Sequence, residues 1–186
     1  LGDVYKRQGL LMSIGLWVRG ARPKTLATSI ASVMVGAAIA YVHIEQSGTC
    51  IAIYPEPASC ATAREQQTLL MDRFWPVTIL CLLVALFLQI AVNYANDYSD
   101  GIRGTDAGRD TDESKSGKPQ RLTASGLVSA EHVLFAAMIC AAIACICGVV
   151  AVVLAQAWWL LAVGAASLLA GWFYTSGTVS YTHLTL

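Results

Sequence analysis

Charged side chains are scarce in this 186-residue chain, and the two signs balance. Asp, Glu, Lys and Arg make up 13% of the residues, about half of the share found in soluble globular domains. The 12 basic and 12 acidic residues leave no net charge, which excludes a general electrostatic attraction to nucleic acid. The cysteines and histidines show no spacing typical of a zinc site. A soluble enzyme and a nucleic-acid-binding protein are therefore both disfavoured.

Apolar residues, by contrast, make up 56% of the chain, and the mean hydropathy is +0.58. Four uncharged apolar stretches approach the ~20 residues that a helix needs to cross a bilayer. They are Leu26–Ile44, Pro76–Tyr94, Val133–Ala155 and Trp158–Tyr174. Their Ala, Gly and Ser content lets helices pack closely in lipid, and their lack of alternation disfavours barrel strands. The sequence predicts an all-α, multi-pass transmembrane helical bundle with four spans.

The two ends of the chain differ from the rest. Leu1–Gln8 and Val179–Leu186 both resemble translated sequencing-adapter read-through, and we interpret them as artefacts that do not belong to the fold. The remaining stretch, Gly9–Thr178, is predicted to be the N-terminal part of one membrane domain, cut off at both ends.

The distribution of Lys and Arg between the spans predicts the orientation, since cytoplasmic loops are enriched in these residues. Within Gly9–Thr178, three precede the first span and five lie within residues 95–132, whereas residues 45–75 hold two and the last connection holds none. In that order they are Arg19, Arg22 and Lys24; Arg103, Arg109, Lys115, Lys118 and Arg121; Arg64 and Arg73. The N-terminus and the 95–132 loop are therefore predicted to be cytoplasmic. The last two spans are predicted to form a tight external hairpin near Gln156 and Ala157.

The six cysteines fall into two groups. Cys50 and Cys60 share the predicted external loop, residues 45–75, where a disulfide is chemically permitted and the sequence leaves it open. The other four lie in apolar stretches and are interpreted as packing residues; they are Cys81, Cys140, Cys145 and Cys147.

Polar and acidic residues concentrate where the second span ends, in the segment NYANDYSDGIRGTD, residues 93–106. If the helix continues for one more turn, its Asn and Asp residues recur at spacings of three and four and share one face. Two glycines then allow the chain to turn, so that Asp106 folds back toward that face. Carboxylate and amide oxygens suit Mg²⁺, which proteins commonly hold with one or two carboxylates and substrate phosphates. The predicted metal ligands are Asn96, Asp97, Asp100 and Asp106.

Basic residues lie on the same predicted cytoplasmic side. Arg22 and Lys24 come just before the first span, where Pro23 begins the helix, and Arg121 comes before the third. Interfacial anchoring is the alternative role for such residues, and it is sufficient to explain Arg19. Beside an acidic cluster, however, the other three cations suit a diphosphate that Mg²⁺ also contacts.

With these residues in place, the sequence resembles the UbiA superfamily of intramembrane prenyltransferases. The resemblance rests on Asn96-Asp97-x-x-Asp100 with Asp106 and on the entry Arg-Pro-Lys-Thr-Leu at residues 22–26. The segments RLTASG at 121–126 and GWFYT at 171–175 also fall where that family has similar ones. Within the superfamily, the resemblance is greatest to the menaquinone-pathway enzymes that act on 1,4-dihydroxy-2-naphthoate.

The resemblance implies a bundle of about nine membrane helices with two Asp-rich motifs facing a cavity. It implies a Mg²⁺-dependent transfer of a polyprenyl group from polyprenyl diphosphate to dihydroxynaphthoate, with loss of CO₂, giving demethylmenaquinol in a bacterial plasma membrane. Asn96, Asp100 and Asp106 would take the first-motif role. The residues implied to contact the diphosphate or the aromatic acceptor, or to line the cavity, are Arg22, Lys24, Asn93, Tyr98, Arg121 and Tyr174. No catalytic base is assigned.

The chain departs from that family in two ways. The loop Ala107–Gln120 is longer and more polar than usual, and the second Asp-rich motif is absent. We therefore hypothesise that the chain as written is inactive by itself. Three alternatives stay open: a sister prenyltransferase acting on 4-hydroxybenzoate or haem, a CDP-alcohol phosphotransferase, and a cation-coupled membrane transporter.

Overall fold

The computed structural model describes residues 14–48, 57–102, 122 and 128–176, and all regular structure within them is helical. A short helical segment, residues 14–20, precedes four long helices. These are α1 (Pro23–Ser47), α2 (Pro57–Ile102), α3 (Ala130–Ala155) and α4 (Leu160–Ser176). The all-α prediction is confirmed for this part of the chain. Both terminal octamers, Asp106 and Arg121 lie outside the described residues.

Three of the helices are long and apolar enough to cross a membrane, namely α1, α2 and α3. The fourth predicted span is also helical, but the 17 residues of α4 fall short of the ~20 that a full crossing needs. Large apolar side chains point outward along all four helices, as expected where lipid rather than water covers them. These features confirm the predicted multi-pass membrane bundle.

Helix α2 is much longer than predicted. Its 46 residues begin at Pro57, so residues 57–75, which were predicted to be external loop, are helical. This stretch contains no glycine and is rich in Ala, Gln, Leu, Met, Glu and Arg, which all favour helix. At 1.5 Å per residue α2 is about 69 Å long, more than twice the hydrocarbon thickness of a bilayer. Polarity alone therefore misplaced the start of this helix.

The described helices pack around α2, which lies along α3 and, less extensively, along α1. The α3–α4 turn is as tight as predicted, with Gln156 in the left-handed conformation at φ 55°. Near this turn Arg73 donates a hydrogen bond from Nη1 to the carbonyl oxygen of Leu154 over 3.3 Å. The side chain of Arg73 thus binds the C-terminal end of α3, where helix carbonyls lack partners.

Aromatic side chains cluster at the same end of the bundle. The ring of Phe74 contacts Tyr41 and Trp75 edge-on, with centroid separations of 5.5 and 5.2 Å. Trp158 and Trp159, in the α3–α4 turn, are exposed. Aromatic belts of this kind mark the boundary between lipid and water.

The buried core lies at the opposite end of the bundle, where the N-terminal segment meets α2 and α3. Its members are Ala21, Tyr94, Leu122, Val133 and Ala137. Leu122 is fully buried and comes from the long connection between α2 and α3. The Leu122 side chain packs onto the backbone of Gly20, and any side chain larger than hydrogen at position 20 would collide with Leu122.

We expect Gly20→Ala to destabilise the protein by about 1–3 kcal/mol, because the new Cβ would lie 2.5 Å from Cδ1 and 2.6 Å from Cγ of the buried Leu122. The matched control is Gly15→Ala in the same helical segment, where nothing lies within 4 Å of the added Cβ. This control is expected to be neutral or stabilising by up to about 1 kcal/mol. SDS titration in mixed micelles, followed by circular dichroism, measures both, and equal effects would contradict the proposed Gly20–Leu122 contact.

Candidate functional site

The end of α2 carries the polar motif on a continuous helix. The helix runs through Asp100 to Ile102, so the predicted extra turn is present. Asn93, Asn96, Asp97 and Asp100 therefore share one face, as their spacing requires. Burial differs along that face: Asn93 and Asp97 are buried, whereas Asn96 and Asp100 are half-buried.

Asp97 joins three separate parts of the chain. Its Oδ1 accepts a hydrogen bond from Nη2 of Arg22 over 2.6 Å, which is also an ion pair. Its Oδ2 accepts one from the backbone N–H of Leu122 over 3.3 Å. Asp97 is fully buried, whereas the Arg22 side chain is 30% exposed. A buried carboxylate needs such partners, because an unpaired charge in this position would cost several kcal/mol.

The backbone of Arg22 makes the turn between the N-terminal segment and α1. It adopts the left-handed conformation, φ 53° and ψ 71°, immediately before Pro23, which takes the first position of α1. This conformation costs a non-glycine residue about 1–2 kcal/mol. The Arg22 carbonyl accepts hydrogen bonds of 2.9 Å from both the N–H and the hydroxyl of Thr25, and the Arg22 N–H donates to the carbonyl of Arg19 over 3.0 Å. The turn thus fixes the backbone position from which the Arg22 side chain reaches Asp97.

A second set of polar contacts continues from this end into the membrane, between α1 and α2. Asn93 donates from Nδ2 to the carbonyl of Ala21 over 2.8 Å and to the hydroxyl of Thr25 over 3.1 Å. One turn further, Gln89 donates to Oδ1 of Asn93 over 3.4 Å and accepts from the Ser29 hydroxyl over 3.1 Å. We call Thr25, Ser29, Gln89 and Asn93 the polar ladder.

Tyr94, next to Asn93 on α2, binds the N-terminal segment. Its hydroxyl donates to the carbonyl of Trp17 over 3.1 Å, and the two rings meet edge-on with centroids 5.4 Å apart. Tyr98, one turn further along, packs against the same buried core. Together with the polar ladder, these contacts hold the N-terminal segment against the end of α2.

The structure brings three predicted site residues together: Arg22, Asn93 and Asp97. Three more, Asn96, Tyr98 and Asp100, lie on the same last turns of α2. Lys24 is exposed in the first turn of α1, and Tyr174 lies in α4 with its side chain outside the described set. Asp106 and Arg121, also predicted, lie outside the described residues.

Sequence reasoning missed Gln89, Ser29, Tyr94 and Leu122. The first two carry no charge, and the spans were found by looking for charge-free stretches. Their signal was the spacing of four residues on each helix, from Thr25 to Ser29 and from Gln89 to Asn93, since uncharged polar side chains in a span commonly bond to a neighbouring helix.

A carboxylate-only metal centre is not formed by the described part of the chain. Across residues 14–48, 57–102, 122 and 128–176, no three His, Cys, Asp or Glu side chains come together as a metal site. A site of the predicted kind would therefore combine the amide oxygen of Asn96 and the carboxylate of Asp100 with donors from substrate or from other parts of the chain.

Comparison with known proteins identifies the family. Residues 68–185 match the sequence model of the UbiA prenyltransferase family. The chain belongs to the UbiA prenyltransferase family. The family predicted from the Asn-Asp-x-x-Asp segment is thus confirmed. No solved structure matches the chain.

Several curated relatives of this UbiA family chain bear the name 1,4-dihydroxy-2-naphthoate octaprenyltransferase. The relative from Mycobacterium tuberculosis is 38% identical over 172 residues, which are 92% of this chain and 47% of the relative. That from Mycobacterium leprae is 34% identical over 171 residues, 92% of this chain and 46% of the relative. That from Escherichia coli is 27% identical over 181 residues, 91% and 46% respectively. The UbiA family chain thus spans about half the length of the curated relatives it matches.

We expect Asn93→Leu in this UbiA family chain to destabilise it by about 1–2 kcal/mol, because the substitution keeps the volume but removes the hydrogen bonds to Ala21 and Thr25. Asn96→Leu, three residues along on the same helix but only half-buried, is the control and is expected to change stability by about 0.5 kcal/mol or less. Unfolding in SDS mixed micelles measures both. Equal losses would show that the polar ladder does not hold α1 against α2.

Proposed function

We propose that this chain is part of a membrane enzyme that transfers a polyprenyl group from polyprenyl diphosphate to 1,4-dihydroxy-2-naphthoate, with loss of CO₂. The observation that carries the proposal is the end of α2, where Asn96 and Asp100 lie one turn apart beside the Arg22–Asp97 ion pair. Family membership supports prenyl transfer, and the printed names of the relatives support the naphthoate acceptor.

The donor chemistry at the end of α2 fits Mg²⁺. Asn96 and Asp100 present hard amide and carboxylate oxygens four residues apart on one helical face, and both are half-buried. We propose that they hold Mg²⁺ together with Asp106 and the substrate diphosphate. When bound there, Mg²⁺ supplies positive charge that offsets the charge developing on the leaving diphosphate.

Basic side chains of the chain would bind the same diphosphate. Arg22 uses Nη2 for Asp97, and its side chain retains 30% exposure at the membrane end. Lys24 lies exposed two residues further, in the first turn of α1. A guanidinium donates up to five hydrogen bonds, so Arg22 can serve Asp97 and a phosphate oxygen at once. We include Arg121 in this set, and Tyr98 and Tyr174 as residues that line the acceptor cavity.

We also propose that the active end faces the cytoplasm of a bacterial cell, in the plasma membrane. The surplus of Lys and Arg in the N-terminal segment and in residues 95–132 supports this orientation. A second observation agrees with it: Cys60, near the start of α2, is disulfide-bonded, whereas the four cysteines in the apolar stretches of α2 and α3 are free. Disulfides persist outside the reducing cytoplasm. Cys50, the expected partner, lies outside the described residues.

We expect Asp100→Asn to lower Mg²⁺-dependent prenyl transfer by about 100-fold or more, because it removes a charged oxygen from the proposed Mg²⁺–diphosphate site. Asp72→Asn is the control: it makes the same change at an exposed carboxylate of α2, 28 positions earlier in the printed sequence, and is expected to leave transfer unchanged. Product formation from polyprenyl diphosphate and dihydroxynaphthoate, titrated with Mg²⁺ and with EDTA, measures both. The assay uses the 186-residue chain and any longer reading frame recovered from the source DNA.

The same assay separates the alternatives. Turnover with 4-hydroxybenzoate in place of dihydroxynaphthoate would favour the sister prenyltransferase. Cation flux in proteoliposomes, without prenyl transfer by the chain or by the longer frame, would contradict the enzyme proposal and favour a transporter.

The proposed orientation predicts which thiols an impermeant reagent reaches in intact cells. After treatment with a membrane-impermeant reductant, we expect a membrane-impermeant maleimide to label Cys60 without permeabilisation, because its disulfide would lie outside. Ser129→Cys, at an exposed position before α3, should be labelled only after permeabilisation. Cys60 is tested in a background where the four free cysteines are replaced by alanine, and Ser129→Cys in one where Cys50 and Cys60 are replaced as well. The reverse pattern would overturn the orientation.

A further inference from the structure

The most informative feature outside the proposed metal site is the junction formed by Arg22, Asp97 and Leu122. Although Asp97 belongs to the acidic motif, its environment differs from that of Asp100. Asp97 is fully buried, and both of its carboxylate oxygens accept hydrogen bonds from other parts of the chain. Asp100 is half-buried on the last turn of the same helix.

The partner on Oδ1 makes metal coordination at Asp97 unfavourable. The guanidinium nitrogen of Arg22 lies 2.6 Å from that oxygen. A Mg²⁺ ion would have to bind at about 2.0–2.1 Å from a carboxylate oxygen, directly beside this cation. The Mg²⁺ ion and the guanidinium would then share one carboxylate oxygen, and two positive charges this close repel strongly where water is scarce. The ion pair instead neutralises one of the closely spaced acidic groups, which reduces repulsion at the end of α2.

The partner on Oδ2 connects the motif to the α2–α3 connection. Leu122 is fully buried against Gly20, Ala21 and Tyr94, and its N–H points at Asp97. In the printed sequence Leu122 directly follows Arg121, one of the basic residues proposed to bind diphosphate. The carboxylate of Asp97 therefore holds the side chain of Arg22 and the backbone N–H of Leu122 at the same helix end.

We propose that Asp97 is a positioning residue rather than a metal ligand. It fixes Arg22 and Leu122 beside the face that carries Asn96 and Asp100. The part of this proposal that concerns Mg²⁺ rests on the proposed function, whereas the part that concerns Leu122 does not.

Limited trypsin digestion tests the contact with Leu122 without any assay of activity. Trypsin cleaves after Arg121, at the peptide bond to Leu122. The N–H of that bond is the group that donates to Asp97. In Asp97→Asn the amide keeps the shape of the carboxylate. One of its two oxygens is replaced by an NH₂ donor, which then faces a donor of either Arg22 or Leu122 and cannot bond to it. We expect the fragment that begins at Leu122 to form at least about tenfold faster in this variant than in the natural chain, a change of 1.4 kcal/mol in the local opening equilibrium.

Two controls make the digestion decisive. Asp100→Asn changes the same group three residues away and should leave the bond before Leu122 protected. Arg64 and Arg73, in the part of helix α2 far from Asp97, report on loss of structure elsewhere in the fold. Cleavage before Leu122 that is no faster in Asp97→Asn would overturn the proposal. Faster cleavage at Arg64 and Arg73 as well would also overturn it, because Asp97 would then stabilise the whole fold rather than position one segment.

A Mg²⁺ titration of prenyl diphosphate binding separates a positioning role from a ligand role. With geranyl diphosphate as the probe, we expect the half-saturating Mg²⁺ concentration to rise at least about tenfold in Asp100→Asn and to stay within about twofold in Asp97→Asn. Arg22→Lys keeps the charge but not the guanidinium geometry. It should therefore retain more of the geranyl diphosphate binding than Arg22→Gln does. Equal shifts for the two Asp variants would overturn the positioning role.

The two experiments fail in distinguishable ways. If the natural chain binds no geranyl diphosphate at any Mg²⁺ concentration, the proposed function fails for this chain, and the trypsin experiment alone decides whether Asp97 positions Leu122. If binding occurs and the digestion shows no opening, the proposed function stands and the positioning role is wrong.

Discussion

A carboxylate cannot be buried at the end of a membrane helix without partners, and the described structure is organised around meeting that requirement at Asp97. The guanidinium of Arg22 and the N–H of Leu122 supply the partners, and each comes from a different part of the chain. Because an unpaired buried charge would cost several kcal/mol, this junction fixes the end of α2 relative to the start of α1 and to Leu122. The apolar core around Leu122 forms at the same place.

The polar ladder meets the same requirement, a partner for every buried polar group, inside the apolar span. Lipid provides no hydrogen bonds, so each amide or hydroxyl between α1 and α2 must find a partner in protein. Asn93 and Gln89 do so with Ala21, Thr25 and Ser29, and the ladder aligns two helices whose apolar surfaces alone would not specify a register. These contacts hold α1 against the proposed catalytic end. Donors held in place in this way need not be reorganised when a charged diphosphate binds.

Membrane physics also explains where sequence reasoning succeeded and where it did not. Lipid demands long apolar helices, so α1 and α3 could be located to within about three residues from hydropathy alone. The start of α2 could not, because a helix that emerges from lipid becomes polar without ending; residues 57–75 are helical although their composition suggested a loop. The motif was likewise visible as a spacing pattern, but Asn93 and Asp97 could not be distinguished from Asn96 and Asp100, since all four share one helical face.

The sequence by itself determined the membrane class, the helical fold, the UbiA family and the helix end that carries the acidic motif. These follow from local properties: apolar length, i to i+4 spacing, and short motifs that each lie within one segment. Only the tertiary structure decided which motif residues are buried and what they contact. The pairs Arg22 with Asp97 and Asp97 with Leu122 join residues 75 and 25 positions apart, and hydrogen bonds across such distances depend on how helices pack. No periodicity in a single chain encodes that packing, because in lipid the contacts between helices come from close packing and a few polar groups rather than from hydrophobic burial.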